Sequence, residues 1–120
     1  MRKILIVDDE QLIREGLKIA LEQEGYLVQI AEDGRDALKI MESYKPDVIV
    51  TDIIMPEKDG IELIINIRKT NKDMRIIAIS GGGRISAQDH LRIASKLGAD
   101  CIITKPFSAK ELIAKIEEKT

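Results

Sequence analysis

Lys3-Ile4-Leu5-Ile6-Val7-Asp8-Asp9-Glu10 runs an unbroken aliphatic stretch into three consecutive acids. So short a run, bounded by charge, predicts a buried strand over Lys3 to Val7 rather than a helix. It is also far too short for a signal peptide or a membrane span. A second such run, Asp47-Val48-Ile49-Val50-Thr51-Asp52, again ends on an acid. Continuous rather than alternating apolarity is expected of a strand covered by helices on both faces, which puts residues 47–52 near the centre of a sheet.

Between these runs the period changes from two to about 3.6. Residues 10–24 carry Leu12, Ile13, Leu17, Ala20 and Leu21 at helical spacing, and Gly25 stands where a left-handed residue would end the helix. Tyr26 to Ala31 reads as a second strand. Asp33 then supplies an N-cap for a helix with Ala37, Leu38 and Met41 inward, and Pro46 closes that connection. Asp59 and Glu62 resemble a capping box ahead of Ile61, Ile64 and Ile67. Arg75 to Ser80 is a fourth strand running into Gly81-Gly82-Gly83, and a helix through Leu91, Ala94 and Leu97 is expected to stop at Gly98. Cys101 to Thr104 is a fifth strand. Ser108 and Glu111 form another capping box, before Leu112, Ile113 and Ile116. Strands alternating with helices predict parallel βαβ units with right-handed crossovers: a doubly wound α/β fold with helices on both faces of a five-stranded parallel sheet.

Composition narrows the function. The 120 residues suit one domain, with 44% hydrophobic and 33% charged residues. Aromatic residues are 2%, namely Tyr26, Tyr44 and Phe107, so platforms for stacking bases are nearly absent. Nineteen basic against twenty-one acidic residues give a net charge of -2, which does not favour direct nucleic-acid binding. Cys101, the sole cysteine, has no intrachain disulfide partner, fits a reducing cytoplasm and reads as a small buried hydrophobe. His90, the only histidine, reads as a solvated helix residue and not as a phosphate donor. The Gly81-Gly83 run lacks the spacing of a phosphate-binding loop and reads as a hinge.

In an open parallel sheet ligands bind beyond the carboxyl ends of the strands, where strand order reverses. Asp8 and Asp9 close strand one, Asp52 closes strand three, Ser80 closes strand four and Lys105 follows strand five, so these five are expected to meet at one edge. Three carboxylates together raise the cost of ionising one another unless a cation is present. An all-oxygen donor set without His or Cys favours Mg²⁺, with Mn²⁺ as a substitute, over Zn²⁺ or copper. Asp8, Asp9 and Asp52 then balance one divalent ion and Lys105. Asp8 and Asp9 also suit the N-terminal end of helix one, where negative charge is favoured.

Asp8-Asp9-Glu10, Asp52-Ile53-Ile54-Met55-Pro56-Glu57-Lys58-Asp59-Gly60, Ser80 and Lys105-Pro106-Phe107 together resemble the motifs of bacterial two-component response-regulator receiver domains, the CheY-like group. The resemblance spans residues 1–120 and implies a single stand-alone receiver domain without an output domain. It implies the flavodoxin-like strand order 2-1-3-4-5. It also implies a signalling phosphoacceptor rather than an enzyme acting on other molecules. By that similarity a histidine kinase or phosphotransfer protein donates a phosphoryl group to Asp52, with Ser80 and Lys105 assisting. Asp9 and Asp52 ligate Mg²⁺ directly, Asp8 acts through a coordinated water, and the main-chain carbonyl of Ile54 is a further ligand. A cis peptide before Pro106 is implied as well. Output to a partner protein is expected through the face made by the helix after Gly83, strand five and the last helix.

One departure from the family pattern matters. Ile102 stands three residues before the lysine, where many members carry Tyr or Phe, so signalling by exchange of a ring is not expected and movement of residues 81–85 takes its place. Ile54 and Gly82 offer an attacking water no side-chain hydrogen bond, so slow self-dephosphorylation is expected. Three competing readings fit less well. A degenerate receiver usually loses an acid or the lysine, and all five groups are present. A flavodoxin-type electron carrier needs Ser/Thr and Gly where Asp8 and Asp9 stand. An aspartyl-phosphate hydrolase needs a second acid at position 54.

Overall fold

The computed structural model describes residues 2–53, 59–80, 92, 96 and 98–118, with the backbone alone at 59 and 60. β1 (Lys3–Val7) pairs in parallel with β2 (Leu27–Ala31) on one side and β3 (Val48–Asp52) on the other. β3 pairs with β4 (Arg75–Ser80), and β4 with β5 (Cys101–Thr104), giving the order β2-β1-β3-β4-β5. All five residues of β3 are buried, as its continuous apolarity predicts.

Side chains on the two faces of the sheet separate into two cores. Leu5, Val7, Ile49, Ile76 and Ala78 pack with Ala37 of α2 (Gly34–Met41) and with Leu63, Ile64 and Ile67 of α3 (Asp59–Thr70). Ile4, Ile6, Val48, Val50, Ile77 and Ile79 pack on the opposite face with Leu17 and Leu21 of α1 (Gln11–Gln23). Leu112 and Ile116 of α4 (Ala109–Glu117) complete that second core. The period-two strands thus feed alternate residues to helices on both sides.

Local chemistry sets the helix ends. Gly25 takes φ +96°, and the N–H groups of Gly25 and Tyr26 return to the carbonyls of Glu22 and Leu21, closing α1 in a Schellman motif. This places Tyr26 before β2 rather than in it. Asp33 accepts from the Asp36 N–H at 2.8 Å, capping α2. Ser108 Oγ accepts from the Glu111 N–H at 3.1 Å and donates to Glu111 Oε1 at 3.4 Å, capping α4. Asp47 precedes β3 and accepts from the Lys3 N–H, stitching the starts of β1 and β3.

Several expectations need correction. Leu12 is 84% exposed and Leu38 39% exposed, so neither belongs to a core stripe. Successive helix residues stand about 100° apart, so Leu12 beside Ile13 and Leu38 beside Ala37 turn away from the faces buried by Leu17, Leu21 and Ala37. Leu63, which the spacing passed over, is fully buried in α3. Cys101 is half-buried rather than buried, with the Arg75 guanidinium 3.8 Å from its sulfur, and burial pushes its thiol pKa up. The capping box at Asp59 depends on a side chain outside the described residues. Also outside them are Gly81 to Gly83, His90, and Leu91, Ala94 and Leu97. Within that stretch Arg92 and Lys96 are helical and exposed, and Gly98 takes φ +91°, the left-handed stop expected there.

Candidate functional site

The sheet register brings the acids level. Val7 pairs with Thr51, so the next residues, Asp8 and Asp52, leave adjacent strands side by side at the edge where the chain reverses its direction of travel across the sheet. Ser80 pairs with Thr104 at the same edge, and the Lys105 N–H donates to the Ser80 carbonyl at 2.9 Å. That bond extends the β4–β5 ladder by one step and brings the lysine backbone to the rim. The Lys105-Pro106 peptide is cis.

Lys105 Nζ is the centre of the arrangement. It donates to Asp52 Oδ2 at 3.0 Å and to Glu10 Oε1 at 3.4 Å, and lies 3.7 Å from Asp8 Oδ2. Asp52 is 3% exposed and Asp8 0%. Buried charges persist where partners offset lost hydration, and one ammonium shared by two buried carboxylates and an outer one is such a compromise. Burial alone would lower the Lys105 pKa. The hydrogen bond and charge of Asp52, with the charge of Asp8 and the Glu10 contact, outweigh it and hold the ammonium above its usual value.

Asp8 is the strained member. Its Oδ1 accepts from the Glu10 N–H at 2.9 Å, but its buried Oδ2 has no hydrogen-bond donor. Burial raises its pKa first of all, and the charges of Asp52 and Asp9 add to that. The Glu10 N–H and Lys105 oppose the rise without cancelling it. A buried carboxylate oxygen lacking a donor beside further acids fits a cation. Oxygens of Asp8, Asp9 and Glu10 lie within 4.8 Å of one another. With only carboxylates on offer, the donor set suits a hard divalent ion such as Mg²⁺.

The structure therefore gathers Asp8, Asp9, Asp52, Ser80 and Lys105 at one edge. Ile54 lies outside the described residues. Asp8 and Asp9 do not cap α1 in the way expected: Glu10 holds the N-cap position without a side-chain cap, and Asp8 instead fixes the turn through the Glu10 N–H. The residue that sequence reasoning missed is Glu10, the fourth carboxylate of the site and the third on the ammonium. Its adjacency to Asp8 and Asp9 was the available signal, but a solvent-facing glutamate at a helix start has an ordinary reading. Ile102 is half-buried against the core that α2 and α3 cover.

Residues 4–117 match a family model described as response regulator receiver domain. Response regulator MprA of Mycolicibacterium vanbaalenii is 38% identical over 115 residues, covering 95% of this chain and 48% of that relative. The chain spans about half the length of the curated relatives it matches. Among solved structures, chemotaxis protein CheY4 of Vibrio cholerae superposes with TM-score 0.87 at 30% identity, covering 98% of this chain and 97% of that one. Response regulator TrrA of Thermotoga maritima, in complex with Mg(2+)-BeF, gives TM-score 0.81 at 38% identity over 98% and 97%.

Proposed function

Because the chain belongs to the response regulator receiver domain family of two-component systems and has the CheY-like, flavodoxin-like fold, we propose that it accepts a phosphoryl group on Asp52 in a Mg²⁺-dependent reaction. One observation carries this reading. The Lys105 ammonium is bonded to Asp52 at 3.0 Å while the neighbouring buried oxygen of Asp8 lacks a donor. The two halves of a phosphoryl-transfer site, a nucleophile with a cation beside it and an unsatisfied acceptor for a metal, lie together.

Asp52 supplies the nucleophile: a carboxylate oxygen bonds to phosphorus, the bond from phosphorus to the donor atom breaks, and an acyl phosphate results. Such transfer needs little covalent help from the protein and much alignment and charge neutralisation. Lys105, already within hydrogen-bond reach of Asp52, follows the charge onto the phosphoryl oxygens, and the Ser80 hydroxyl at the end of β4 offers them a donor. Asp9 and Asp52, with the main-chain carbonyl of Ile54, would hold the metal, and Asp8 would act on it through a coordinated water. When bound, Mg²⁺ supplies charge neutralisation at the transferring group, and Mn²⁺ serves in its place. TrrA, a 38% identical relative in complex with Mg(2+)-BeF, supports Mg²⁺ as the ion by likeness.

The phosphoryl donor is a histidine kinase or phosphotransfer protein. The output is a conformational signal to a partner protein through the helix after Gly83, β5 and α4, because Ser80 and Lys105 lead into those elements. With Ile102 in place of an aromatic ring, residues 81–85 carry the change. No helix among the described residues is long and apolar enough to cross a membrane, and the setting we propose is the cytoplasm. The test is intact mass after incubation with acetyl phosphate and Mg²⁺. Wild type gains one phosphoryl group, and Asp52→Asn gains none. Equal modification of both proteins, or of neither, defeats the reading.

A further inference from the structure

The charge balance at this site leaves something over. Asp8, Asp9 and Asp52 are matched by Lys105 and one divalent ion, but the structure places a fourth carboxylate, Glu10, on the same ammonium at 3.4 Å. The nearby Arg14 guanidinium donates to the main-chain carbonyl of Asp8 at 2.7 Å and forms no ion pair with Glu10 among the described residues, so with the metal in place Glu10 carries one negative charge beyond what Lys105 and the ion offset. It sits outermost, since the Glu10 side chain is 61% exposed, whereas those of Asp8 and Asp52 are 0% and 4%. Lys105, at 22%, lies between the inner pair and Glu10.

Glu10 is held there by its backbone. Its N–H donates to Asp8 Oδ1 at 2.9 Å and its carbonyl accepts from the Arg14 N–H at 3.1 Å, which fixes it as the residue at which α1 begins. Glu10 and Lys105 also line an open hollow of about 600 Å³ with Leu12 and Phe107, and at 61% and 22% exposure they are the more solvent-facing pair of the charged cluster around the ammonium.

We infer that Glu10 is a specificity-determining residue that selects phosphoryl donors by charge, disfavouring small dianionic donors at Asp52. The inference rests on the phosphoacceptor reading above. A donor approaching Asp52 brings its phosphoryl oxygens past the rim, where the uncompensated carboxylate repels them. Glu10 also competes with those oxygens for Lys105. An exposed charge acts modestly and is screened by salt, so the expected effect is a few-fold and falls with ionic strength.

The experiment compares initial rates of phosphorylation by intact mass, with Mg²⁺ present, for two donors. With acetyl phosphate, a dianion at neutral pH, an Asp52 oxygen bonds to phosphorus as the bond to the acetyl oxygen breaks and acetate leaves with the electron pair. With phosphoramidate, which carries a protonated nitrogen, the phosphorus–nitrogen bond breaks and ammonia leaves. Glu10→Gln is expected to react about two- to fivefold faster than wild type with acetyl phosphate. The gain should be smaller with phosphoramidate, and the acetyl phosphate gain should shrink at high salt. Glu10→Asp keeps the charge and is expected to keep the wild-type ratio between donors.

If wild type is modified but Glu10→Gln is unchanged, or is accelerated equally with both donors, the inference fails while the Asp52 reading stands. A Glu10→Asp ratio that moves with Glu10→Gln also overturns it. Wild type that takes no phosphoryl group from either donor brings down the phosphoacceptor reading and this inference with it.

Discussion

Lys105 Nζ lies 3.0 Å from Asp52 Oδ2 across 53 positions of sequence, and the same ammonium stands 3.7 Å from the buried Asp8 Oδ2. Its removal would take a paired ammonium away from two buried carboxylates, which is costlier than the loss of a surface pair. Lys105→Ala is therefore expected to destabilise the metal-free protein at neutral pH by roughly 1–3 kcal/mol. Added Mg²⁺ is expected to restore part of the loss. Urea unfolding with chelator and with Mg²⁺ measures both. A variant as stable as wild type in chelator would mean that the ammonium does not support the buried acids.

The pH dependence has a definite sign. Burial holds the Asp8 pKa above its unfolded value, so the folded protein binds this proton more readily than the unfolded chain does. The stability Asp8 contributes is then fully present below the unfolded carboxylate pKa and is lost as pH rises through the folded value. At neutral pH without metal, ionised Asp8 is a burden, and Asp8→Asn is expected to melt higher than wild type. The difference should shrink as pH falls through the carboxylate range. Mg²⁺ competes with the same proton, so its affinity for wild type should weaken over that window. Thermal melts across pH in chelator, paired with Mg²⁺ titrations, check both trends.

Much of this arrangement was legible because strand ends are easily read. Val7-Asp8 and Thr51-Asp52 each mark the step from buried sheet to rim, and parallel pairing then makes Asp8 and Asp52 neighbours. Ser108 and Asp33 announced their helices through a single side-chain acceptor each. What stayed hidden depends on tertiary placement. Glu10 reaches Lys105 over 95 positions, a contact set by how α1 and the segment after β5 approach each other rather than by any local pattern.

The lifetime of the phosphorylated state is a third outcome, which rests on residue types alone. Hydrolysis needs a water held in line with the Asp52–phosphorus bond, and Ile54 and Gly82 bring no side-chain donor or acceptor to hold it. The phosphorylated protein is expected to lose its phosphoryl group over minutes or longer, and Ile54→Asn is expected to shorten that time. Intact mass followed after removal of excess donor measures the decay. Loss within seconds in wild type would show that other groups position the water.

At the opposite end of the sheet, Arg68 ties the last turn of α3 to the segment that leads into β5. Its Nε donates to the Gly98 carbonyl at 2.7 Å, one NH group donates to the Met74 carbonyl at 2.6 Å, and the other meets Asp100 Oδ2 at 3.1 Å. Asp100 in turn accepts from the Ile76 N–H at 2.7 Å, so the network holds the starts of β4 and β5 together. Arg68→Ala removes charge-assisted bonds to partly buried carbonyls and is expected to cost about 2–3 kcal/mol in urea unfolding. Gly98→Ala carries two penalties. The left-handed φ of +91° costs a residue with a Cβ about 1–2 kcal/mol. That Cβ would also stand 3.0 Å from Arg68 Cγ, on a side chain whose hydrogen bonds keep it from moving aside. In the Arg68→Ala background the second penalty disappears while the first remains. The double variant should therefore be more stable than the sum of the single losses implies, and strict additivity would show that the Arg68 side chain yields freely to the added carbon.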